Sequence, residues 1–387
     1  MKISKVVSNI PASPTLFITA KVQELRSQGK DIIGFGAGEP DFDTPVNIKI
    51  SAIEAIKDGK TKYTPVGGSP KLKEAVCANI FSDYGLGVTP ENVIVSCGAK
   101  HSLYNLFLTL FEAGDEVLCP SPYWVSYPPM IEITGAAPVI IDTRQTGMKL
   151  TADHVKAAIT KRTRGIVINS PSNPTGMIID RSELEKIAEL CLEHDIIIIS
   201  DDIYMKILFG DARFFSMATI SPEVAAKTFI INGSSKTYAM TGWRIGYCIG
   251  DRDVIKAMTR LQSQSTSNPT SFAQEGALTS LTADQSIVEE RRKIFETRKD
   301  LIVSKIREIP GFDIIPPQGS FYTFPSIKGH LERFGGANSL AEYLLEKALV
   351  AVVPGEGFGA DDHIRLSFAT SEKNIIEGLA RIKKVLS

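Results

Sequence analysis

Seven short apolar runs, each continuous rather than alternating with polar residues, are the feature that most limits how this chain can fold. They occupy residues 93–96, 116–120, 138–142, 165–170, 196–200, 228–232 and 245–250. Strands that are buried on both faces of a sheet have this pattern, because neither face meets water. The runs therefore predict a sheet that is covered on both sides.

Segments with helical periodicity lie between several of these runs. Residues 103–111 carry an apolar stripe, and Gly114 is the expected C-cap of that helix. Residues 184–191 carry another stripe, which Asp180 and Glu183 precede with the spacing of a capping box. Strands that alternate with helices predict an α/β domain with a mostly parallel sheet.

The pattern changes after about residue 280. Residues 287–309 are expected to form a long charged helix, short strands are expected near 320–324, 350–353 and 364–368, and a last helix should follow Ser371. A chain of 387 residues exceeds the roughly 250–300 residues that one core sustains. We therefore expect two domains, the smaller of which is an α+β domain that includes the residues after about 280.

Charge and cysteine content exclude several functions. Lysine and arginine total 43 against 44 acidic residues, which gives no reason to expect nucleic acid or an anionic membrane as partner. The five cysteines are widely spaced and form no C-x-x-C, so neither a disulfide framework nor a metal site is expected. Because no apolar run approaches about 18 residues and no secretion signal is recognisable, we expect a cytoplasmic protein.

The most informative segment is 234–246, in which Lys236 follows a predicted strand and two serines, and Arg244 comes eight residues later. A lysine amine can form an imine with an aldehyde, as covalent catalysis by lysine requires. A guanidinium group nearby suits a phosphate ester. The ordinary alternative is an exposed lysine in a loop before a helix.

Polar residues also follow two other predicted strands. Asp201 lies at the carboxyl end of the run 196–200, where ligands collect in open α/β sheets, and Tyr204 follows it. A carboxylate there could pair with a protonated pyridine nitrogen, although a solvated acidic loop would look the same. Asn173 begins the turn sequence Asn-Pro-Thr-Gly after the run 165–170, a sequence that is also typical of turns without function.

Two glycine-containing segments differ in what they indicate. Residues 96–100, Ser-Cys-Gly-Ala-Lys, precede a predicted helix, and small residues there let backbone N–H groups approach an anion. The segment 355–359 lacks the G-x-G-x-x-G spacing of a nucleotide-binding loop and is interpreted as a structural turn.

Together these segments resemble the class I aminotransferases, the aspartate aminotransferase family of fold type I enzymes that use pyridoxal 5'-phosphate (PLP). Further similar segments, in family order, are 38–45, 63–68, 122–127 and 363–369. The resemblance implies a mostly parallel seven-stranded sheet with helices on both faces in a large domain at 46–280, and a smaller α+β domain from the two chain ends, 1–45 and 281–387.

The resemblance also implies roles in cofactor binding. Lys236 would hold PLP covalently and carry the substrate proton, while Asp201 would pair with the pyridine nitrogen and Trp124 would stack on the ring. Asn173 and Tyr204 would bind the ring oxygen. The phosphate would lie among Gly98, Ala99, Lys100, Ser234, Ser235 and Arg244, and Tyr63 would reach the phosphate of the neighbouring subunit, which implies a homodimer with shared active sites.

Substrate contacts follow from the same resemblance. Arg365 would bind the α-carboxylate, with Gly38, Trp124 and Asn173 beside it; an internal salt bridge of Arg365 is the alternative. One bacterial subgroup binds the distal carboxylate through a lysine at the position of Lys100, helped by an N-terminal Ser-x-Thr, here Ser13 and Thr15. A solvated Lys100 side chain is the alternative there.

The predicted reaction is transamination of L-aspartate with 2-oxoglutarate, which gives oxaloacetate and L-glutamate. An aromatic or prephenate aminotransferase, or a C–S β-lyase, would use the same core residues and remains an alternative. We do not expect a PLP-sensing transcription regulator, because that function needs a DNA-binding domain for which the similarity leaves no room. A non-catalytic relative is disfavoured because Lys236, Asp201, Arg244 and Arg365 are all present.

Overall fold

The computed structural model of the protein describes residues 1–8, 10 and 14–387. All seven predicted runs are strands, with bounds that differ from the expected ones by at most two residues. The strands are β1 (Ile33–Gly34), β2 (Val93–Ser96), β3 (Glu116–Ser121), β4 (Ala137–Asp142), β5 (Thr163–Asn169), β6 (Ile197–Asp201), β7 (Thr228–Gly233), β8 (Gly246–Ile249), β9 (Tyr322–Thr323), β10 (Val350–Ala351), β11 (Val353–Pro354) and β12 (Ile364–Ser367).

The large sheet has the strand order β2-β8-β7-β6-β5-β3-β4. β8 runs antiparallel to both of its neighbours, and the other pairs in this sheet are parallel. The expectation of a mostly parallel sheet of seven strands is therefore confirmed.

The helices lie between the strands and at both ends of the chain. They are α1 (Lys5–Ser8), α2 (Pro14–Ser27), α3 (Val46–Lys57), α4 (Pro70–Tyr84), α5 (Ala99–Leu110), α6 (Tyr127–Ile133), α7 (Ala152–Ala158), α8 (Arg181–Glu193), α9 (Pro222–Lys227), α10 (Ser234–Thr237), α11 (Arg252–Ser263), α12 (Ser271–Thr282), α13 (Ser286–Arg307), α14 (Leu331–Phe334), α15 (Ala337–Tyr343) and α16 (Glu372–Leu386). In the part of the chain that the structure describes, none of them is long and apolar enough to cross a membrane.

Helices cover both faces of the large sheet. Along β5, the side chain of Val167 belongs to the core that includes Leu106 of α5, while its neighbours Ile166 and Ile168 belong to the core that includes Leu184 of α8. Successive side chains of a strand point to opposite faces, so both faces must be apolar where both are covered. This burial explains the continuous apolar runs.

Of the two predicted helix caps, Asp180 is the N-cap residue of α8 but lacks the side-chain hydrogen bonds of a capping box, and the C-cap at Gly114 is wrong. The Asp180 carboxylate accepts a hydrogen bond from the Lys149 ammonium at 3.0 Å, and the Glu183 carboxylate accepts one from the N–H of Ala152 at 2.8 Å, so no capping box forms. Helix α5 ends at Leu110, before Gly114 is reached. In the first case, partners outside the helix compete for the carboxylates that the local sequence offers as caps.

The two ends of the chain meet in space. β1 pairs with β10 in parallel, and β9, β11 and β12 form an antiparallel sheet in the order β11-β12-β9. Buried side chains of α13 and α16, such as Phe295 and Leu379, share one core with residues of these strands. The short strands expected after residue 320 are therefore present, while the division into domains at residues 46 and 280 stays a prediction.

Candidate active site

A cavity of about 460 Å³ opens at the carboxyl ends of β5 and β6. It is lined from four parts of the chain: the segment after β1, the loops and helix starts that follow strands of the large sheet, β9 and β12. Among the predicted site residues it collects Gly38, Ala99, Lys100, Trp124, Asn173, Asp201, Tyr204, Ser235, Lys236, Arg244 and Arg365.

Lys236 lies in α10, the short helix that follows β7, and its side chain is half-buried. Its ammonium group donates a hydrogen bond to the carbonyl of Gly38 at 2.5 Å. Burial, and then the positive charge of Arg365, lower the pKa of the Lys236 amine to about 8. A useful fraction of the amine is therefore neutral, and thus nucleophilic, near physiological pH.

Asp201 is the last residue of β6, and its side chain is buried. Its carboxylate accepts a hydrogen bond from the Tyr127 hydroxyl at 2.6 Å and a long one from the N–H of Ile203 at 3.4 Å. The Asn169 amide donates to the Asp201 carbonyl at 2.9 Å, which joins the ends of β5 and β6. Burial raises the pKa of Asp201 to about 6, against the two hydrogen bonds, so the group is mostly a carboxylate at neutral pH.

Arg365 lies in β12, with 2% of its surface exposed. It donates to the side-chain oxygen of Asn173 at 3.1 Å and to the carbonyl of Gly36 at 2.9 Å, and the guanidinium lies 4.4 Å from the centroid of the Tyr322 ring. Its Nε has no partner, and no carboxylate pairs with it among the residues that the structure describes. A buried guanidinium that only neutral oxygens contact is costly unless a ligand supplies the anion.

Arg244 and the start of α5 form a second place for an anion. The Arg244 guanidinium donates to the carbonyls of Thr241 at 2.8 Å and of Cys97 at 3.3 Å, and within the described ranges it pairs with no carboxylate. Gly98 has φ +92°, which strains any residue with a side chain, and a Cβ atom there would lie 2.4 Å from Arg244 Nη2 and displace the guanidinium. The free N–H groups at the start of α5, near Ala99, add a favourable dipole for a phosphate group.

Lys100 and Trp124 lie side by side in the cavity wall. The ammonium of Lys100 lies 4.9 Å from the centroid of the Trp124 ring. Partial burial, and then the charge of Arg244, lower the pKa of Lys100 below its ordinary value.

The remaining predicted residues do not line this cavity. The Ser234 hydroxyl lies 3.2 Å from that of Ser280, so it is directed away from the cavity, against the expectation of a phosphate contact. Gly98 acts through its close approach to Arg244, and the side chain of Tyr63 is 90% exposed. Ser13 and the side chain of Thr15 lie outside the described residues.

Tyr127, Asn169 and Tyr322 are polar residues of the wall to which the sequence gave no role. The hydroxyl of Tyr322 lies 3.2 Å from that of Tyr204. Asn169 carried a usable signal, since it ends a predicted strand beside Asp201, and Tyr127 closes a segment already recognised by similarity. Tyr322 lies in a short apolar stretch that gives no such indication.

The sheet order and this site define a fold type I aminotransferase. Residues 30–382 match the family described as "Aminotransferase class I and II", and the chain belongs to that family. It is 49% identical over 390 residues to the aspartate aminotransferase of Geobacillus stearothermophilus, covering 100% of this chain and 99% of that protein. It is also 49% identical to a probable aspartate/prephenate aminotransferase of Aquifex aeolicus, covering 98% of this chain and 97% of that protein.

Solved structures agree with the sequence comparisons. The aspartate aminotransferase of Thermus thermophilus with maleate superimposes with a TM-score of 0.95 at 42% identity, over 100% of both chains. The aspartate aminotransferase of Rhizobium meliloti gives the same TM-score at 40% identity, over 99% of this chain and 98% of that one. The protein is therefore an enzyme that catalyses transamination.

Proposed function

We propose that the protein uses PLP to transfer the amino group of L-aspartate to 2-oxoglutarate. The observation that carries the proposal is Arg365, a buried guanidinium that faces the cavity beside Lys236 and lacks a carboxylate partner among the described residues. An amino acid or 2-oxo acid supplies that carboxylate at the place where the reactive amine lies. The names of the Geobacillus stearothermophilus and Aquifex aeolicus relatives, both of which include aspartate, support the choice of substrate.

The charges in the cavity fit PLP. Asp201 is a buried carboxylate without a cation at salt-bridge distance in the described part of the chain, so it suits a protonated pyridine nitrogen. Arg244 and the N-terminus of α5 suit the phosphate, and Trp124 offers a ring face for stacking. We assign Asn173 and Tyr204 to the ring oxygen. When bound, the cofactor would supply the electron sink that stabilises negative charge at the substrate α-carbon.

Lys236 would then have two tasks. Its neutral amine would hold the cofactor covalently, and after the substrate displaces it, the same amine would take the proton from the substrate α-carbon. The lowered pKa suits the second task, because a base works best when its pKa lies near the working pH. The carbonyl of Gly38, which accepts a hydrogen bond from this amine, would keep it beside the α-carboxylate site.

We propose that Lys100 binds the distal carboxylate of aspartate or glutamate, with Ser13 and Thr15 as helpers. Its ammonium lines the cavity, and no described carboxylate lies within salt-bridge distance of it. The relative from Thermus thermophilus was crystallised with maleate, which is a four-carbon dicarboxylate like oxaloacetate. A second cation at the right separation from Arg365 would select dicarboxylic substrates over alanine.

The assembly would be a homodimer that shares its active sites. α3 exposes an apolar stripe at Val46, Ile50, Ile53 and Ile56, and Tyr63 is exposed a few residues further on. A stripe of this kind is unusual for a surface that faces water, and it suits an identical stripe on a second copy. Tyr63 would then reach the partner's phosphate site. The large domain would span 46–280 and the small domain the two chain ends.

We further propose that the enzyme works in the cytoplasm. All five cysteines are free thiols, and Cys119, Cys191 and Cys248 are buried. Free thiols persist in a reducing compartment, which supports this location.

The test of the substrate is the specificity of Lys100→Ala. Holoenzyme is assayed for amino-group transfer from L-aspartate, L-alanine or L-phenylalanine to 2-oxoglutarate, and from L-glutamate to prephenate. Cystathionine is used to test for lyase activity. We expect wild type to prefer aspartate, and Lys100→Ala to lose about 10- to 100-fold in kcat/KM for aspartate, because a hydrogen-bonded ion pair is lost, but less than threefold for alanine.

Lys299→Ala is a matched control, since that lysine lies on α13 and outside the cavity wall. Equal losses for aspartate and alanine would show that Lys100 does not bind the distal carboxylate. Aspartate ranking last in the wild-type enzyme would refute the proposed substrate.

A further inference from the structure

Tyr127 is a buried polar side chain of the cavity wall to which nothing so far gives a task. It begins α6, with 2% of its surface exposed, and its ring stands edge-to-face against Trp124 at 5.3 Å between centroids. Its hydroxyl lies 2.6 Å from Oδ2 of Asp201. A phenol oxygen this close to a carboxylate oxygen has the length of a charge-assisted hydrogen bond.

The direction of this hydrogen bond is settled by the chemistry of the two groups. Burial, and then the negative charge of Asp201, raise the pKa of the Tyr127 phenol well above its ordinary value. The phenol therefore keeps its proton across the neutral range and donates it. The other donor to the carboxylate, the N–H of Ile203, is 3.4 Å from Oδ1 and hence weak.

The titratable groups around this pair come from several elements. They are Lys236 of α10, Tyr204 and Asp202 beyond the end of β6, and Cys119 of β3. Lys236 is the only one of these whose charge favours the carboxylate, and it makes no direct contact with it among the described hydrogen bonds. The short hydrogen bond from Tyr127 is therefore the main local support of the Asp201 charge.

We infer that Tyr127 is a positioning residue, which holds the Asp201 carboxylate ionised and turned toward the cavity so that it can pair with the pyridine nitrogen of PLP. The inference rests on the proposed function, because it needs Asp201 to meet a protonated ring nitrogen. Tyr127 itself would touch no reacting atom. Because Tyr127 contacts Trp124, the residue assigned to stack on the cofactor ring and the residue that supports Asp201 lie on one short segment.

Removal of the hydroxyl has a pH-dependent consequence. Without its donor, the Asp201 carboxylate would keep only the weak bond from Ile203, and burial would raise its pKa further above the present value of about 6. Protonated Asp201 cannot attract a pyridinium. A hydrogen bond to a charged group corresponds to a rise of about one to two pH units, so PLP should bind Tyr127→Phe about five- to fiftyfold more weakly than wild type at pH 6. At pH 9 both proteins carry an ionised Asp201, and the two dissociation constants should agree within about twofold.

The experiment measures the PLP dissociation constant of the full-length apo-enzyme between pH 5.5 and 9, by absorbance or by quenching of Trp fluorescence. Proteins compared are wild type, Tyr127→Phe and Tyr123→Phe, which makes the same change four residues earlier on a half-buried tyrosine without a bond to Asp201. Lys236 is present in all three proteins, so its own titration cancels in the ratio of their PLP dissociation constants. We expect the acid limb, the pH range in which PLP affinity falls with falling pH, to move to higher pH for Tyr127→Phe and to stay in place for Tyr123→Phe.

Two further measurements separate positioning from packing. In the Asp201→Asn background, where no carboxylate remains, Tyr127→Phe should leave the PLP affinity unchanged within about twofold at pH 6 and at pH 9. Site-specific 3,5-difluorotyrosine at position 127 keeps the ring but strengthens the donor, so it should move the acid limb below that of wild type. This measurement decides the question even if Tyr127→Phe does not fold.

The inference is overturned if Tyr127→Phe weakens PLP binding equally at pH 6 and pH 9, or if its effect persists in the Asp201→Asn background. A wild-type affinity at pH 6 in Tyr127→Phe would also overturn it, while the proposed function would stand. Failure of the wild-type protein to bind PLP would instead remove the proposed function and this inference together.

Discussion

Among substitutions in the cavity, Arg365→Met should reduce activity strongly while it changes the free energy of unfolding little. The guanidinium is buried and gives its described hydrogen bonds to two neutral oxygens, those of Asn173 and Gly36. The remaining donors, including the unpartnered Nε, are left for a carboxylate ligand. Methionine has a similar length and no charge, so the variant removes the ligand contact while it keeps much of the packing.

The expected loss of activity follows from the hydrogen bonds to the ligand. Two charge-assisted bonds to the α-carboxylate contribute about 1.5–3 kcal/mol each, and hence about 3–6 kcal/mol together. The kcat/KM for aspartate should fall by about 10²- to 10⁴-fold. The PLP dissociation constant should change less than about threefold, because Arg365 is assigned to the substrate and not to the cofactor.

The expected effect on stability is small. Breaking a buried ion pair inside a protein costs about 3–5 kcal/mol, but Arg365 has no carboxylate partner among the described residues. Its two bonds to neutral oxygens contribute about 1 kcal/mol each, and removal of a buried charge offsets part of that loss. The free energy of unfolding of the apo-enzyme should therefore change by less than about 2 kcal/mol.

The assays are steady-state kinetics with aspartate and 2-oxoglutarate, PLP titration, and urea denaturation of the apo-enzyme. Arg307→Met is the control, since Arg307 ends α13 on the exposed surface. A loss of more than about 3 kcal/mol in unfolding free energy together with less than a tenfold fall in kcat/KM would refute the reasoning, because Arg365 would then be a structural residue.

Two further predictions concern the reactive amine and the assembly. Because only the neutral amine attacks an aldehyde and the pKa of Lys236 is lowered to about 8, covalent capture of PLP by the apo-enzyme should speed up as the pH rises through about 8. Borohydride should then trap an adduct on Lys236 that is missing from Lys236→Ala; a rate that stays flat from pH 6 to 9 would contradict this. Sedimentation velocity should give twice the 42.1 kDa of one chain for wild type and a smaller mass for Ile53→Glu at low micromolar concentration, since a buried charge opposes association. Ile376→Glu, a change at an equally exposed isoleucine of α16, should stay dimeric, and a monomeric wild type would exclude the shared site.

Local patterns predicted the secondary structure well, with instructive exceptions. The strands of the large sheet could be located because burial on both faces leaves a continuous apolar run, which is a property of the local sequence. The cap at Gly114 was wrong because the chain leaves the helix earlier than its glycine suggests. Helix α8 begins after Asp180 as predicted, but no capping box forms because other groups compete for the carboxylates of Asp180 and Glu183. Such competition depends on residues distant in sequence.

In the candidate site, too, some features could be predicted from local sequence and others depend on residues distant in sequence. Lys236 and Asp201 could be recognised because each ends or follows a buried strand, and Arg365 because a charge in an apolar strand needs a reason. The lack of a carboxylate partner for Arg365 among the described residues could not be decided from local sequence, since it depends on which side chains pack against β12. Ser234 was placed at the phosphate by its neighbourhood in sequence, yet its hydroxyl turns to Ser280, 46 residues away.

The amino-acid sequence by itself determined the α/β class and the identity of the residues that can carry amine, phosphate and carboxylate chemistry, because these follow from side-chain type and periodicity, while the resemblance of its motifs indicated the family. Only the tertiary structure decided which of those residues face one cavity, and that Tyr127 supports Asp201 across 74 residues of sequence. The physical reason is that hydrogen bonds and burial act over a few ångströms in space, where pKa values and ligand charges are set.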